Sequence, residues 1–145
     1  MNYASFFDHT LLKAEAKESD ITLLCQEART HGFASVCVNP WYVAHARKIL
    51  QGSKTMAITV VGFPLGASTT ESKAAETKDA IAHGAQEIDM VVNLGALKSS
   101  DMKAVEADIR AVVVAAGAVP VKVILETAAL TEDEKVAAAT AVLGR

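Results

Sequence analysis

The feature that most constrains the fold is a repeated alternation between short β-branched runs and longer amphipathic stretches. Each short run has the length and composition of a strand, and in the longer stretches apolar residues recur at the i, i+3, i+4 and i+7 positions of a helix. Successive runs are about one βα unit apart. Five strands are predicted, over Phe6–Leu11, Ser35–Asn39, Met56–Phe63, Glu87–Asn93 and Val121–Glu126. The alternation predicts an α/β fold with a parallel sheet.

Helix start and stop signals lie between these strands. Capping-box spacing, proline at the first helical turn and glycine beyond the last turn mark the ends of amphipathic stretches. The predicted helices are Ile21–Ala28 ending at Gly32, Tyr42–Leu50 after Pro40, Ala74–Ile81 with Ser68 and Glu71 before it and Gly84 after it, Asp101–Ala116 with Gly117, and Val136–Leu143 with Thr131 and Glu134.

Composition narrows the class of protein. The 145 residues are 51% hydrophobic and 21% charged, which predicts one globular domain over residues 1–145. The net charge of −3 forms no polybasic stripe, so neither a nucleic-acid partner nor a membrane partner is expected. The first residues lack the pattern of a secretory leader, and a cytoplasmic location is predicted. Cys25 and Cys37 have no CxxC spacing or paired histidines, so we expect reduced, buried thiols and no metal site.

Polar residues near the carboxyl ends of the strands indicate a site. Asp89 lies inside the apolar strand Glu87–Asn93, and Lys122 lies inside the next strand along the chain. Burying either charge is costly unless it is paired, and a buried lysine beside a carboxylate is a common means of tuning acid–base groups. The two residues are therefore candidate catalytic groups. The alternative is a buried ion pair that only fixes the register of the strands.

Further candidates for contacting a substrate are Asp8, Thr10, Cys37 and Glu126. Each has a structural alternative. Asp8 could cap a turn with the Thr10 hydroxyl, Cys37 could act as a small hydrophobic residue, and Glu126 could bond to side chains of a neighbouring strand. The loop Gly62–Gly66 has neither the lysine nor the spacing of a phosphate-binding glycine loop, so nucleotide binding has little support.

Five segments in order resemble the deoxyribose-phosphate aldolase family over essentially all 145 residues. They are Asp8–Lys13, Val36–Pro40, Val61–Gly66, Glu87–Asn93 and Val121–Thr127. The resemblance implies a (β/α)₈ TIM barrel and a class I aldolase that cleaves 2-deoxyribose 5-phosphate to acetaldehyde and glyceraldehyde 3-phosphate through a lysine Schiff base. It implies a sugar phosphate or aldehyde as the small-molecule partner and no cofactor. It also implies that Asp89 relays protons, that Cys37 lines the substrate, and that Asp8 and Thr10 lie at the edge of the site.

The sequence also departs from this family. The family's Schiff-base lysine lies on the sixth strand in a Lys-Thr-Ser-Thr-Gly motif, which does not occur in these 145 residues. We therefore expect an incomplete TIM barrel of five βα units, truncated before strand 6, and a chain that is inactive alone. Unpaired strand edges favour association into a homo-oligomer. The alternative function is a non-catalytic scaffold that associates through those edges.

Overall fold

The computed structural model describes residues 3–143, in which five strands alternate with six α-helices. The strands are β1 (Asp8–Leu11), β2 (Ser35–Val38), β3 (Met56–Val61), β4 (Ile88–Val91) and β5 (Val121–Ile124). The helices are α1 (Glu18–His31), α2 (Val43–Ile49), α3 (Thr70–Ala82), α4 (Leu94–Lys98), α5 (Met102–Ala116) and α6 (Glu132–Leu143). Short 3₁₀ helices span Tyr3–Phe6, Pro40–Tyr42 and Thr127–Ala129. The predicted α/β fold of five βα units is confirmed.

The predicted strands are all present, but each is shorter than the apolar run that predicted it. The difference is largest at the carboxyl ends, where Asn39, Asn93 and Glu126 lie beyond the last strand residue. Strand β4 ends early because Asn93 begins the next helix instead. The Asn93 side-chain oxygen accepts a hydrogen bond from the Ala96 amide at 3.1 Å and caps α4. The five-residue helix α4 was not predicted, since it is too short to show a helical period.

The chain divides into two compact units. The first runs to Val60 and includes Ala80–Glu87. Within it β1 pairs in parallel with β2, and β2 pairs in parallel with β3. Helix α1 packs on α2 and on the first two strands through a stripe at helical spacing. The buried members of that stripe are Ile21, Leu24, Cys25 and Ala28.

Both cysteines are free and buried in this first unit, as the sequence predicted. Burial raises the pKa of the Cys25 thiol to about 11, because the apolar surroundings disfavour the thiolate. Burial therefore disfavours the nucleophilic thiolate form of Cys25 at neutral pH.

The second unit comprises Val61–Asp79 and continues from Ile88. Its strands β4 and β5 pair in parallel, and α5 packs against β5 and α6. The apolar stripe of α5 recurs at helical spacing and is fully or almost fully buried, through Val105, Ile109, Val112 and Ala116. This stripe and the buried side chains of β4 form the core of the unit. The expectation of a single domain stays a prediction.

Two predicted helix caps have different outcomes. The Thr131–Glu134 capping box is confirmed, because each side chain bonds the other's amide, at 2.8 Å to the Glu134 carboxylate and 3.3 Å to the Thr131 hydroxyl. The Ser68–Glu71 box is wrong. Helix α3 begins at Thr70, and the Thr69 hydroxyl accepts from the Ser72 amide at 3.2 Å. In residues 3–143, none of the helices has the length and apolar character needed to cross a bilayer.

Candidate functional site

The second unit contains the predicted acid–base pair. Asp89 and Lys122 are register partners on the parallel strands β4 and β5, and the Lys122 Nζ atom lies 3.4 Å from the Asp89 Oδ2 atom. Side chains of register partners project from the same face of a sheet. The neighbours of Asp89 in the strand, Ile88 and Met90, are fully buried on the opposite face. The prediction that β4 and β5 bring these two charges together is confirmed.

The predicted burial of Lys122 is wrong. Its side chain is 46% exposed, whereas that of Asp89 is 12% exposed. A lysine stem can pass along an apolar strand and still bring its ammonium group to water, which the sequence pattern does not reveal. The separation of 3.4 Å is longer than a tight charge-assisted hydrogen bond. The pair is therefore a carboxylate in a largely dry environment with a solvent-accessible cation beside it.

Glu126 lies just beyond the carboxyl end of β5. Its backbone is left-handed, with φ of 57°, and its carbonyl accepts from the Ala129 amide at 2.9 Å to begin the 3₁₀ helix Thr127–Ala129. Left-handed backbone is unfavourable for a residue with a side chain and often occurs at functional sites. Within residues 3–143 the exposed Glu126 carboxylate forms no hydrogen bond or ion pair, so the predicted alternative of a structural network is not observed.

The loop Gly62–Gly66 lies against the end of β4. Gly66 has φ of +66°, and a Cβ atom built there would lie 2.0 Å from the Val92 carbonyl oxygen. Only glycine permits this approach. The Gly62 amide donates to the Glu76 carboxylate at 2.9 Å, which anchors the other end of the loop to α3. A cavity of about 340 Å³ borders the loop, lined by Gly62, Phe63, Pro64, Leu65, Ala67 and Ser68.

The second unit also contains a buried ion pair that the sequence pattern did not predict. The Lys73 ammonium on α3 donates to the Asp108 carboxylate on α5 at 2.5 Å and to the Val91 carbonyl at 3.0 Å. The Lys73 and Asp108 side chains are 0% and 1% exposed. The Thr70 hydroxyl also donates to Asp108, at 2.9 Å. The pair binds both helices to the last residue of the strand that carries Asp89.

Nothing in the local sequence singles out Lys73. Both it and Asp108 lie in helices that also carry exposed charges, and a helical period does not specify which charged residue faces the core. The sequence offers one weak indication, which is that Lys73 and Thr77 are spaced i and i+4 and so share one face of α3. In the structure both side chains on that face are buried.

The first unit holds the other predicted residues. Asp8 and Thr10 on β1 are register partners of Ser35 and Cys37 on β2, so the four side chains share one face of this strand pair. The Asp8 carboxylate accepts from the Ser35 hydroxyl at 2.6 Å. Ser35 is fully buried and was not predicted as a partner of Asp8, because the strand pattern alone does not specify which residues of β1 and β2 lie opposite one another.

The alternative reading of Asp8 as a turn cap is only partly right. The Thr10 hydroxyl donates to the Asp8 backbone carbonyl at 3.0 Å, while the Asp8 side chain bonds Ser35 instead. Asp8 and Thr10 are exposed, and Cys37 is 3% exposed. His9 projects from the other face of β1 and bonds Glu27 of α1 at 2.8 Å. His9 is therefore separated from Asp8 and Thr10.

Sequence comparison identifies relatives over nearly the whole chain. The family described as "DeoC/LacD family aldolase" matches residues 3–144. A deoxyribose-phosphate aldolase of Brevibacillus brevis is 60% identical over 138 residues, which are 95% of this chain and 62% of that protein. A deoxyribose-phosphate aldolase of Streptococcus pneumoniae is 59% identical, over 95% of this chain and 63% of that protein.

Solved structures agree with the sequence relatives. A putative deoxyribose-phosphate aldolase from Coccidioides immitis superposes with a TM-score of 0.95 at 43% identity, covering 97% of this chain and 56% of that one. A tetrameric deoxyribose phosphate aldolase from Aeropyrum pernix superposes with a TM-score of 0.82 at 28% identity, covering 95% and 58%. The chain thus spans somewhat less than two thirds of the length of the relatives that it matches.

Proposed function

Because this chain belongs to the DeoC/LacD aldolase family, we propose that it supplies the proton-transfer part of an aldolase site for 2-deoxyribose 5-phosphate. The observation that carries the proposal is the Asp89–Lys122 pair, with its 3.4 Å separation and its unequal exposure. Pairs of titratable groups in different environments are typical of acid–base machinery.

Aldol cleavage through a lysine Schiff base requires a proton acceptor. The substrate carbonyl condenses with an amine and releases water, and the resulting iminium accepts the electron pair of the breaking C–C bond. The hydroxyl on the departing carbon loses its proton, and the enamine later gains one. In our proposal Asp89 accepts and returns these protons, while the half-exposed Lys122 ammonium exchanges protons with solvent.

Lys122 itself is poorly suited to be the amine that attacks. Only a neutral amine attacks a carbonyl, and a neighbouring carboxylate favours the charged ammonium. The family's Lys-Thr-Ser-Thr-Gly motif does not occur in these 145 residues. We propose that the 145 residues alone form no imine at a useful rate and that activity needs a segment carrying that motif.

The remaining predicted residues have proposed binding roles. Asp8, Thr10 and Cys37 share one face of the β1–β2 pair, and Glu126 presents an exposed carboxylate beyond β5. In our proposal they contact the sugar phosphate or the aldehyde product. The cytoplasmic location and a reaction without metal or organic cofactor also remain proposals.

Borohydride trapping and complementation together test the proposed function. The chain is incubated with acetaldehyde and borohydride, with and without the carboxyl-terminal part of the Brevibacillus brevis relative, and its intact mass is measured. We expect no ethyl adduct on this chain, and aldol cleavage only in the complemented mixture. Asp89→Asn should then lower the cleavage rate about 100-fold or more, while Asp101→Asn, at an exposed helix cap, should not.

An ethyl adduct on Lys122 of the isolated chain would show that this lysine is the nucleophile and would contradict the proposed division of roles. Complemented activity that Asp89→Asn leaves unchanged would remove Asp89 from the proton relay. A folded mixture with no cleavage at all would contradict the proposed role of this chain in aldol cleavage.

A second candidate, association as a non-catalytic scaffold or homo-oligomer, is supported by the outer strands. Among the described residues β1 pairs with β2 alone and β5 pairs with β4 alone. No residue of β1 or β5 is buried, whereas every residue of β2 and β4 is buried or nearly so. Strands with one free edge recruit further strands. Light scattering distinguishes the outcomes, since a monomer at micromolar concentration would contradict association.

A further inference from the structure

A cavity of the first unit has none of the candidate site residues in its lining. It has a volume of about 620 Å³ and is lined by Ser5, Arg29, Gly32, Phe33, Ala34, Ser53, Lys54, Thr55 and Met56. Apart from Ser5 in the first 3₁₀ helix, these residues come from the carboxyl end of α1 and from the segments that lead into β2 and β3. The cavity thus borders the amino-terminal ends of two strands. Small-ligand sites typically have volumes of about 300 to 1,000 Å³.

The charged residues that line this cavity are all cationic. Its lining contains two cations, Arg29 and Lys54, and no carboxylate. Lys54 is exposed and forms no ion pair or hydrogen bond with any residue in the range 3–143. A cation without a carboxylate partner attracts anions, and two such cations in one concave surface reinforce that attraction.

Arg29 is held in place before any ligand arrives. One of its terminal nitrogens donates to the Ile49 carbonyl at 2.9 Å, which fixes the guanidinium beside the end of α2. A guanidinium has five N–H donors in a planar fork, so the remaining donors stay available. A donor that is already ordered loses less conformational entropy when it binds a ligand.

The turn that presents Lys54 is also ordered. The Ser53 amide donates to the Leu50 carbonyl at 2.9 Å, and the Thr55 amide donates to the Ser53 hydroxyl oxygen at 3.0 Å. The Thr55 hydroxyl donates to the Phe33 carbonyl at 2.9 Å, and Thr55 is 4% exposed. The Ser53 hydroxyl acts as an acceptor in this turn and keeps its own proton to donate to a ligand.

We propose that this cavity binds a phosphate monoester of sugar size. A phosphate monoester carries about two negative charges at neutral pH. It therefore balances the two cations of the cavity, whereas a ligand with a single carboxylate would balance only one. The phosphate would lie between Arg29, Lys54 and the Ser53 hydroxyl, with the carbon part against Phe33 and Met56. The site binds its ligand without chemical change and does not depend on the proposed aldolase function.

An NMR titration of the whole ¹⁵N-labelled chain tests this proposal. The probes are ribose 5-phosphate and, as its neutral match, ribose. We expect ribose 5-phosphate to shift the amides of residues 29–34 and 53–56 with a Kd below about 1 mM, and ribose to shift none of them. Lys54→Met should weaken binding about tenfold. Arg29→Lys, which keeps the charge and loses the fork, should weaken it as well.

Lys48→Met is the matched control. Lys48 is an exposed lysine of α2 that lines a different cavity, with Ala44, Arg47 and Gln51. The Lys48→Met substitution should change the Kd for ribose 5-phosphate by no more than about twofold, because it removes the same charge as Lys54→Met but from outside the proposed site. The proposal is overturned if Lys48→Met and Lys54→Met weaken binding equally, or if ribose causes the same shifts. It is also overturned if the shifts centre on β4 and β5 and disappear in Lys122→Met, since the ligand would then occupy the candidate aldolase site.

Discussion

Replacing Lys73 with methionine removes one charge of the buried Lys73–Asp108 pair and keeps most of the side-chain volume. Lys73 makes two hydrogen bonds, to the Asp108 carboxylate and to the Val91 carbonyl, and its side chain is 0% exposed. The substitution therefore leaves a carboxylate buried without its cation and a backbone carbonyl without its side-chain donor.

The magnitude follows from what remains in contact. Removing one partner of a buried ion pair typically costs about 3 to 5 kcal/mol. Asp108 keeps the Thr70 hydroxyl, so the lower end of that range applies, and the loss at the Val91 carbonyl adds about 1 kcal/mol. We expect Lys73→Met to lower the free energy of unfolding by about 4 kcal/mol. Domains have about 5 to 15 kcal/mol in total, so the variant should be near its stability limit.

Urea unfolding followed by far-ultraviolet circular dichroism measures this loss. The double variant Lys73→Met/Asp108→Leu should recover to within about 1 kcal/mol of the original chain, because no buried charge remains. Lys135→Met is the control, since its ion pair with Glu132 has exposed fractions of 34% and 89% and should contribute less than about 0.5 kcal/mol. A loss below about 1 kcal/mol for Lys73→Met, equal to that of the control, would refute this account of the pair.

Two further predictions concern backbone geometry and pH. Gly66→Ala should destabilise the chain by at least about 1 kcal/mol more than Gly52→Ala. Both glycines have positive φ, but only at Gly66 would an added Cβ atom meet a backbone oxygen. Equal losses of stability in urea unfolding would contradict the close approach at Gly66. The pKa of Glu134 is lowered from 4.5, first by the hydrogen bond that Lys98 donates and then by the Thr131 amide. A lowered pKa means that the carboxylate stabilises the fold above its unfolded-state pKa and loses that contribution as pH falls through the folded value. Glu134→Gln should therefore be less stable than the original chain at pH 7, and the difference should shrink below about pH 4.5; a difference that is the same at pH 3 and pH 7 would contradict it.

The secondary structure was largely predictable because it depends on local period. The predicted helix Asp101–Ala116 matches α5, with Asp101 at its cap and Gly117 just beyond its end. The Thr131–Glu134 box was predicted to the residue, since both of its bonds lie within one turn. The Ser68–Glu71 box failed by one residue, because Thr69 offers an equivalent hydroxyl nearer to the helix.

The pairing of Asp89 with Lys122 was also predictable, because parallel strands of similar length place their central residues opposite one another. The sequence did not predict which of the two lysines, Lys73 or Lys122, is buried. Lys122 lies in an apolar strand and reaches water, whereas Lys73 lies in a helix rich in polar residues and is fully buried. A charged residue is buried or exposed according to what packs over its face, and those neighbours are distant in the chain. The sequence therefore determined the elements and their order through local hydrophobic period, and only tertiary packing decided which charges lost contact with water.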